Sequence, residues 1–206
     1  MASRTEKHPD SGHVPKNTDT RLPMNHPYTP REDTFLLLEC LEMVPKVDLA
    51  AEVGCGPGYV LRQLLARSRE SVGIDIDVTA LKAGKQHLAE VYGSVHLVNS
   101  SILPFRQDSF DMVVSNPPYL PSEETLYDPA VHGGPTGVET SLEIVNQASH
   151  TLKSDGILLI VASSLSDVDR LLTQAIQTGF KQWEKAPYFK TFFEIVYCFI
   201  FSLNRQ

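Results

Sequence analysis

Two short segments carry most of the chemistry this sequence could do: Glu52-Val53-Gly54-Cys55-Gly56-Pro57-Gly58 and Asn116-Pro117-Pro118-Tyr119. In the second, the Asn116 side-chain oxygen and the Pro117 carbonyl can each accept an N–H bond from a planar NH2 group. An amide or aromatic-amine nitrogen is a weak nucleophile because its lone pair is delocalised. Acceptors that aim the lone pair at an electrophilic carbon, and that strengthen as positive charge builds on nitrogen, activate it without a strong base. The two prolines stiffen the turn, so the acceptors stand in place before substrate arrives. Tyr119 can pack on the flat face of such a group. The plainer alternative is a Pro-Pro turn with Asn116 capping a strand.

The first segment joins a short apolar run to a helical one, where glycines let the chain turn sharply and a ligand approach the peptide groups. Its spacing is GxGxG. A dinucleotide fingerprint would need glycine at position 59, which is Tyr59, and Pro57 removes an amide that could bind phosphate. With no Walker lysine either, a pyrophosphate ligand loses ground. Carboxylates stand close by instead: Glu52 before the glycines and Asp75-Ile76-Asp77 some 20 residues on. They suit a positively charged ligand with a ribose diol, which Asp75 can accept in bidentate fashion. S-adenosylmethionine has the sulfonium, the ammonium and the ribose, and lacks phosphate; losing its methyl gives S-adenosylhomocysteine. The alternative is a glycine turn with incidental acids.

The surrounding pattern supplies elements to hold both segments. Residues 30–44 read as a helix, with Thr29 as N-cap, Pro30 at the first helical position and Phe35, Leu38, Leu41 and Glu42 at helical offsets; Pro45 closes it. Strands follow at 49–53, 71–76, 95–98, 110–115 and 157–161, separated by helices at 59–67, 78–91 and 138–152. A helix at 165–177 and two aromatic, β-branched strands at 181–190 and 193–201 complete the chain. Nearly all-apolar strands alternating with helices predict an α/β fold: a seven-stranded, mostly parallel sheet ending in an antiparallel hairpin, with helices on both faces. Strands one and four would flank the switch point of such a sheet, so both motifs should face one crevice.

At 206 residues the chain fits one domain, and 42% hydrophobic with 21% charged residues is ordinary for a globular protein. Residues 1–27 are polar and aperiodic and are expected to form a disordered leader, with the folded domain at 28–206. The apolar stretches 157–162 and 195–201 fall short of the roughly 18 residues that span a bilayer. The start lacks a secretory apolar core, so a cytoplasmic location and no membrane association are expected. Cys40, Cys55 and Cys198 have no CxxC spacing and read as buried free thiols. His8, His13 and His26 show no compact ligand spacing, and no metal is expected. A net charge of −7 leans against nucleic acid as the main partner.

These motifs resemble those of the HemK-type enzymes within the Rossmann-like class I methyltransferases. The glycine loop and Asn116-Pro117-Pro118-Tyr119 carry the resemblance to the broad amino-group methyltransferase class, whose members act on protein glutamine or on adenine and guanine. Tyr28-Thr29-Pro30-Arg31-Glu32-Asp33-Thr34 and the following leucines are similar to the opening of the small archaeal and eukaryotic members. The segment Gly133-Gly134-Pro135-Thr136-Gly137-Val138-Glu139 resembles their Gly-Gly-x-x-Gly-x-Glu loop. The resemblance implies methyl transfer to the glutamine amide nitrogen in the Gly-Gly-Gln motif of a class I translation release factor. The alternative is N6-adenine or other amino-group methylation of RNA or DNA by the same grip. A non-catalytic binding protein that retains the fold is a third reading.

By position the resemblance implies cofactor contacts from Tyr28, Thr34, Glu52, Gly54, Gly56 and Gly58. Further contacts would come from Asp75, Ile76, Ser101, Ile102 and Asn116. Catalytic contacts would come from Asn116, Pro117 and Tyr119. The family has an acid after strand three; the matching position here is Ser101, a weaker acceptor for the adenine amine. Related members work with a small zinc-binding activator protein that pairs along an edge strand, and Val95, Leu97 and Val98 in the third strand would extend its sheet. His132, Tyr127 and Asp128 read as solvent-facing loop residues beside the site.

Overall fold

The structure is a computed structural model and describes residues 30–91, 93–122, 128–184 and 186–205. Tyr28, Thr29, Tyr127 and the expected leader at 1–27 lie outside these residues.

One sheet organises the chain. Strands β1 (Val47–Val53), β2 (Ser68–Asp75), β3 (Ser94–Asn99), β4 (Phe110–Ser115), β7 (Leu152–Ser163), β8 (Phe180–Gln182), β9 (Tyr188–Lys190) and β10 (Ile195–Leu203) form it. Their order is β3-β2-β1-β4-β7-β10-β8, with β9 also on β10. The first five are parallel, and β10 runs antiparallel to β7, β8 and β9. Helices α1 (Glu32–Met43), α2 (Tyr59–Leu64) and α3 (Val78–His87) cover one face, and α4 (Glu139–Thr151) and α5 (Val168–Gln177) the other.

The apolar strands are apolar because both faces are buried. Along β7, Ile157, Leu159 and Val161 pack on the α1–α3 side, while Leu158, Ile160 and Ala162 pack on the α4–α5 side. In β10, Val196, Cys198 and Ile200 alternate in the same way with Phe199, Phe201 and Leu203. All three cysteines are buried free thiols, and burial pushes those of Cys55 and Cys198 well above their ordinary range.

Three expectations change. Helix α1 opens at Glu32 with Arg31 as its N-cap, two residues later than Pro30, and its first turn places Glu32 and Asp33 at the positive end. Its inner face is Thr34, Leu36, Leu37, Cys40 and Leu41, whereas Phe35 points outward and is 60% exposed. The strand expected at 181–190 is two pieces. Trp183 still donates its N–H to Ile200 O and Pro187 O accepts from Cys198 N–H, but Pro187 has no N–H to give, and regular strand pairing resumes only at Tyr188. Finally, a separate ribbon of β5 (Leu120–Pro121) and β6 (His132–Gly134) follows the catalytic segment. Among the described residues no helix is long and apolar enough to cross a membrane.

Candidate active site

Strands β1 and β4 are neighbours, so both motifs emerge side by side at the carboxyl end of the parallel strands. The Ser115 hydroxyl donates to Val53 O at 2.8 Å and locks the two strand ends together. From β1 the chain enters the glycine loop, which hangs on β2: Gly54 and Cys55 N–H both donate to Ile74 O, at 2.8 and 3.0 Å. Gly54 and Gly56 have φ of +72° and +51°, and a Cβ built on either would meet nothing within 4 Å. The loop therefore presents bare backbone to open space, the form a cradle for a ligand takes.

Two carboxylates border this cradle. Asp75 accepts from Gly56 N–H at 2.7 Å on Oδ2 and from Asp77 N–H at 2.8 Å on Oδ1. Each oxygen thus keeps one lone pair for a diol. Glu52 is 3% exposed, and its Oε2 has no hydrogen-bond partner among the described residues. Burial raises its pKa well above the carboxylate range, the Asp75 charge raises it further, and the Leu61 N–H pulls it partly back. A buried carboxylate oxygen lacking a partner calls for a donor, and a ligand ammonium meets that need.

Past Asp75, Ile76 is 74% and Ile102 46% exposed, aliphatic surface at the ends of β2 and β3. The Asn99 side chain donates to both Asp75 O and Ile76 O at 2.9 Å and fixes the spacing of those ends. Ser101 is exposed beside Ile102, whose N–H is held by the Ser100 hydroxyl.

The Asn116–Tyr119 segment is held from two sides. The Asn116 Nδ2 donates to Asp33 Oδ2 at 3.0 Å, and the Tyr119 hydroxyl donates to the same oxygen at 3.2 Å. Asp33 Oδ1 in turn accepts from Thr34 N–H at 2.8 Å, and Thr34 is buried. Because an amide is planar, holding Nδ2 on Asp33 turns Oδ1 away from that carboxylate; this oxygen is recessed, with almost no surface of its own. Pro117 is buried behind it. From the other side the β5–β6 ribbon braces the loop, with Leu120 N–H on Val131 O and Ser122 N–H on Gly134 O. A Cβ on Gly133 would lie 2.4 Å from Pro118 O, and one on Gly137 (φ +79°) 2.7 Å from Tyr119 O. The Gly-Gly loop is therefore glycine because the Asn116–Tyr119 turn lies directly on it. Glu139 closes the loop by accepting from the Thr136 N–H and hydroxyl and from Arg170.

Of the expected site residues, Glu52, Gly54, Gly56, Asp75 and Asn116 lie at or just past the ends of β1, β2 and β4 on one end of the sheet, Gly58 is buried against Leu88, and Ile76, Ser101 and Ile102 are exposed past β2 and β3. His132 and Asp128 are paired with each other, His132 Nδ1 accepting from Asp128 N–H at 2.9 Å. Asp33 and Asn99 were not anticipated as site residues. Asp33 reads as an ordinary first-turn acid, and nothing local connects it to an asparagine 83 positions away. Among the described residues no three His, Cys, Asp or Glu side chains cluster in a way that could hold a metal.

Residues 32–192 match the family described as methyltransferase small domain. A Methanocaldococcus jannaschii protein provisionally named a protein N5-glutamine methyltransferase is 29% identical over 164 residues, covering 76% of this chain and 83% of that protein. The eRF1 methyltransferase catalytic subunit mtq2 of Schizosaccharomyces pombe is 28% identical, over 74% of this chain and 79% of its own length. Among solved structures, the E. cuniculi Mtq2-Trm112 complex, described as responsible for methylating the eRF1 translation termination factor, superposes with a TM-score of 0.70 at 27% identity. That match covers 86% of this chain and 98% of the other. The chain belongs to the methyltransferase small-domain family, built on the class I S-adenosylmethionine-dependent methyltransferase fold.

Proposed function

We propose that the chain methylates the side-chain amide nitrogen of a glutamine, in the Gly-Gly-Gln motif of a class I translation release factor, using S-adenosylmethionine. The observation that carries this is the Asn116 amide, held by Asp33 at the end of β4 next to the open glycine loop that leaves β1. S-adenosylmethionine supplies an electrophilic methyl carbon on a sulfonium. Glu52 would take its ammonium and Asp75 its ribose hydroxyls, with Ile76 and Ile102 against the adenine and Ser101 beside it. Asn116 Oδ1 and Pro117 O would hold the two amide protons of the incoming glutamine. Poor solvation of the recess strengthens those bonds as charge develops on nitrogen. Neither acceptor would need to remove a proton before transfer: the N–CH3 bond would form as the S–CH3 bond breaks, S-adenosylhomocysteine would leave, and the alkylated nitrogen would then give one proton to water. The relatives named for eRF1 or glutamine methylation, and the acidic balance of the chain, favour protein over nucleobase as acceptor. The cytoplasm is the compartment this reading assigns.

We also infer a small zinc-binding activator that adds a strand to β3. In support, β3 is the outer strand of the sheet and its Val95, Leu97 and Val98 are half-buried. The solved complex pairs its methyltransferase with a second protein, Trm112. Purification with metal analysis of whatever copurifies tests this; a lone, active chain refutes it.

Labelled S-adenosylmethionine offered with release factor, or with RNA, tests the main reading. Label confined to the glutamine of Gly-Gly-Gln is expected, and label confined to RNA refutes it. Asn116→Ala is expected to lower kcat by about two orders of magnitude, the cost of losing one preorganised contact, with little change in cofactor affinity. A large loss of cofactor binding instead would make Asn116 a structural residue.

A further inference from the structure

One surface beside the catalytic loop is not needed to hold either the cofactor or a small amide. Phe192 and Phe193, in the turn between β9 and β10, are 97% and 86% exposed, with ring centroids 5.8 Å apart. Leu165, in the loop after β7, is 50% exposed. Single apolar side chains in water are common, but adjacent large ones mark contact surfaces.

The turn is well tied down. The Thr191 hydroxyl accepts from the Phe193 and Glu194 N–H groups at 3.3 and 3.1 Å, and Thr191 N–H donates to Glu194 O at 2.8 Å. Glu194 Oε2 accepts the Ser163 hydroxyl at 2.6 Å, and that hydroxyl oxygen accepts Leu165 N–H at 3.1 Å. Ser164 and Ile195 exchange two further bonds. The aromatic turn and the Leu165 loop are thus one unit.

That unit adjoins the catalytic segment. The Ser166 hydroxyl donates to Ser163 O, and the Ser166 Cβ lies 2.7 Å from where a Cβ on Gly137 would stand, as does Tyr119 O. Ser163 ends β7, which runs parallel to β4, so the turn sits at the same end of the sheet as Asn116.

We propose that Phe192, Phe193 and Leu165 dock the polypeptide that carries the acceptor glutamine, seating apolar side chains of the substrate protein beside the modified residue. The proposal rests on the glutamine reading above. A glutamine side chain is short, so its polypeptide must run over the protein surface around the site, and this apolar surface lies at the same end of the sheet. Charge favours protein over nucleic acid here. Exposed rings can stack bases, but such sites pair them with a cationic groove. This end of the sheet carries Asp33, Asp75, Asp77 and Glu139 against Arg31 and an Arg170 already paired with Glu139, and the turn adds Lys190.

The test is steady-state methylation of purified release factor by the double variant Phe192→Ser/Phe193→Ser, keeping any copurifying partner. The expected result is a KM for release factor at least tenfold higher, with kcat, cofactor Kd and melting temperature each close to wild type. Phe192→Leu/Phe193→Leu, which restores apolar surface, should recover most of the loss. An unchanged KM overturns the proposal, as does a KM rise that the leucine variant fails to recover. A variant that loses binding to single-stranded RNA while keeping its KM for protein assigns the surface to nucleic acid and overturns it too. Wild-type enzyme that labels RNA and not release factor refutes the glutamine reading itself, a separate outcome from these.

Discussion

Replacing Glu52 with glutamine should make the free protein more stable and its complex with the cofactor weaker. The two effects have opposite signs because one buried carboxylate causes both. In the free protein Glu52 is buried, its Oε2 lacks a partner among the described residues, and Asp75 is a like charge close by. Its folded pKa is raised above the unfolded value, near 4.3 for a glutamate. The group therefore favours folding most below that unfolded value and loses the benefit as pH rises through the folded pKa. At neutral pH a neutral isostere removes the cost of burying the charge, about 1–3 kcal/mol after relaxation. At roughly 2–4 °C per kcal/mol for a chain of this size, the melting temperature of Glu52→Gln should rise by about 2–12 °C without ligand. With ligand the sign reverses, because a charge-assisted bond to the ammonium contributes about 1.5–3 kcal/mol. At about 1.4 kcal/mol per decade, cofactor affinity should fall about 10- to 150-fold. Wild-type affinity should also weaken as pH falls through the raised pKa, and the variant should lose that dependence. Scanning calorimetry of the free protein and titration calorimetry across pH measure both halves. A variant that melts lower yet binds the cofactor like wild type would show that the carboxylate supports the fold and faces no ligand.

Asp33→Ala removes the acceptor that orients Asn116 and Tyr119, so kcat should fall about 10- to 100-fold with cofactor Kd within about threefold; matched losses in both would mean a displaced α1. Gly133→Ala sets a methyl group against Pro118 O and Gly137 O. Forced overpacking of that kind costs about 1–3 kcal/mol, so both melting temperature and turnover should drop, and an unaltered enzyme would show that the β5–β6 ribbon leaves the catalytic turn free. For Glu139, burial pushes the pKa up, but the Thr136 hydroxyl and N–H and the Arg170 guanidinium outweigh it and hold the carboxyl below its usual range. Its stabilisation is present above the unfolded pKa and lost as pH falls through the folded one. Thermal melts from pH 6 down to 3 should therefore show a smaller acid loss in Glu139→Gln than in wild type.

The parts of the site visible in the sequence are those built from neighbours along the chain. Glu52 and the three glycines lie within seven residues, and their chemistry follows from residue type and spacing alone. Long-range order was visible where it forces composition: residues 157–162 of β7 and most of β4 are apolar because helices cover both faces, the pattern of a parallel sheet in which β1 and β4 flank the switch point. Contacts between distant side chains leave no such trace. Asp33 meets Asn116 across 83 positions, and either residue alone has an ordinary local role. The split of the strand at 181–190 had a local signal that the composition outvoted: aromatic residues mark strand propensity, while Pro187, which cannot donate to a ladder, marks the break.

The Asp33 contact changes what kind of element α1 is. An asparagine amide can offer either a donor or an acceptor to a crevice, and nothing in the Asn-Pro-Pro-Tyr turn itself decides which. A donor facing a glutamine NH2 would repel it; an acceptor binds it and gains strength as the nitrogen becomes positive. The Asp33 carboxylate takes the Asn116 NH2 group and so selects the acceptor orientation. It does so from a helix whose next residue, Thr34, is buried and bonded to the same carboxylate. Helix α1 packs on β7 and β10 through Leu37, Cys40 and Leu41, against Leu159, Val161 and Ile200. The orientation of a single amide is thereby set by the packing of the whole sheet. The prolines hold the position of Asn116, and α1 holds the direction of its side chain.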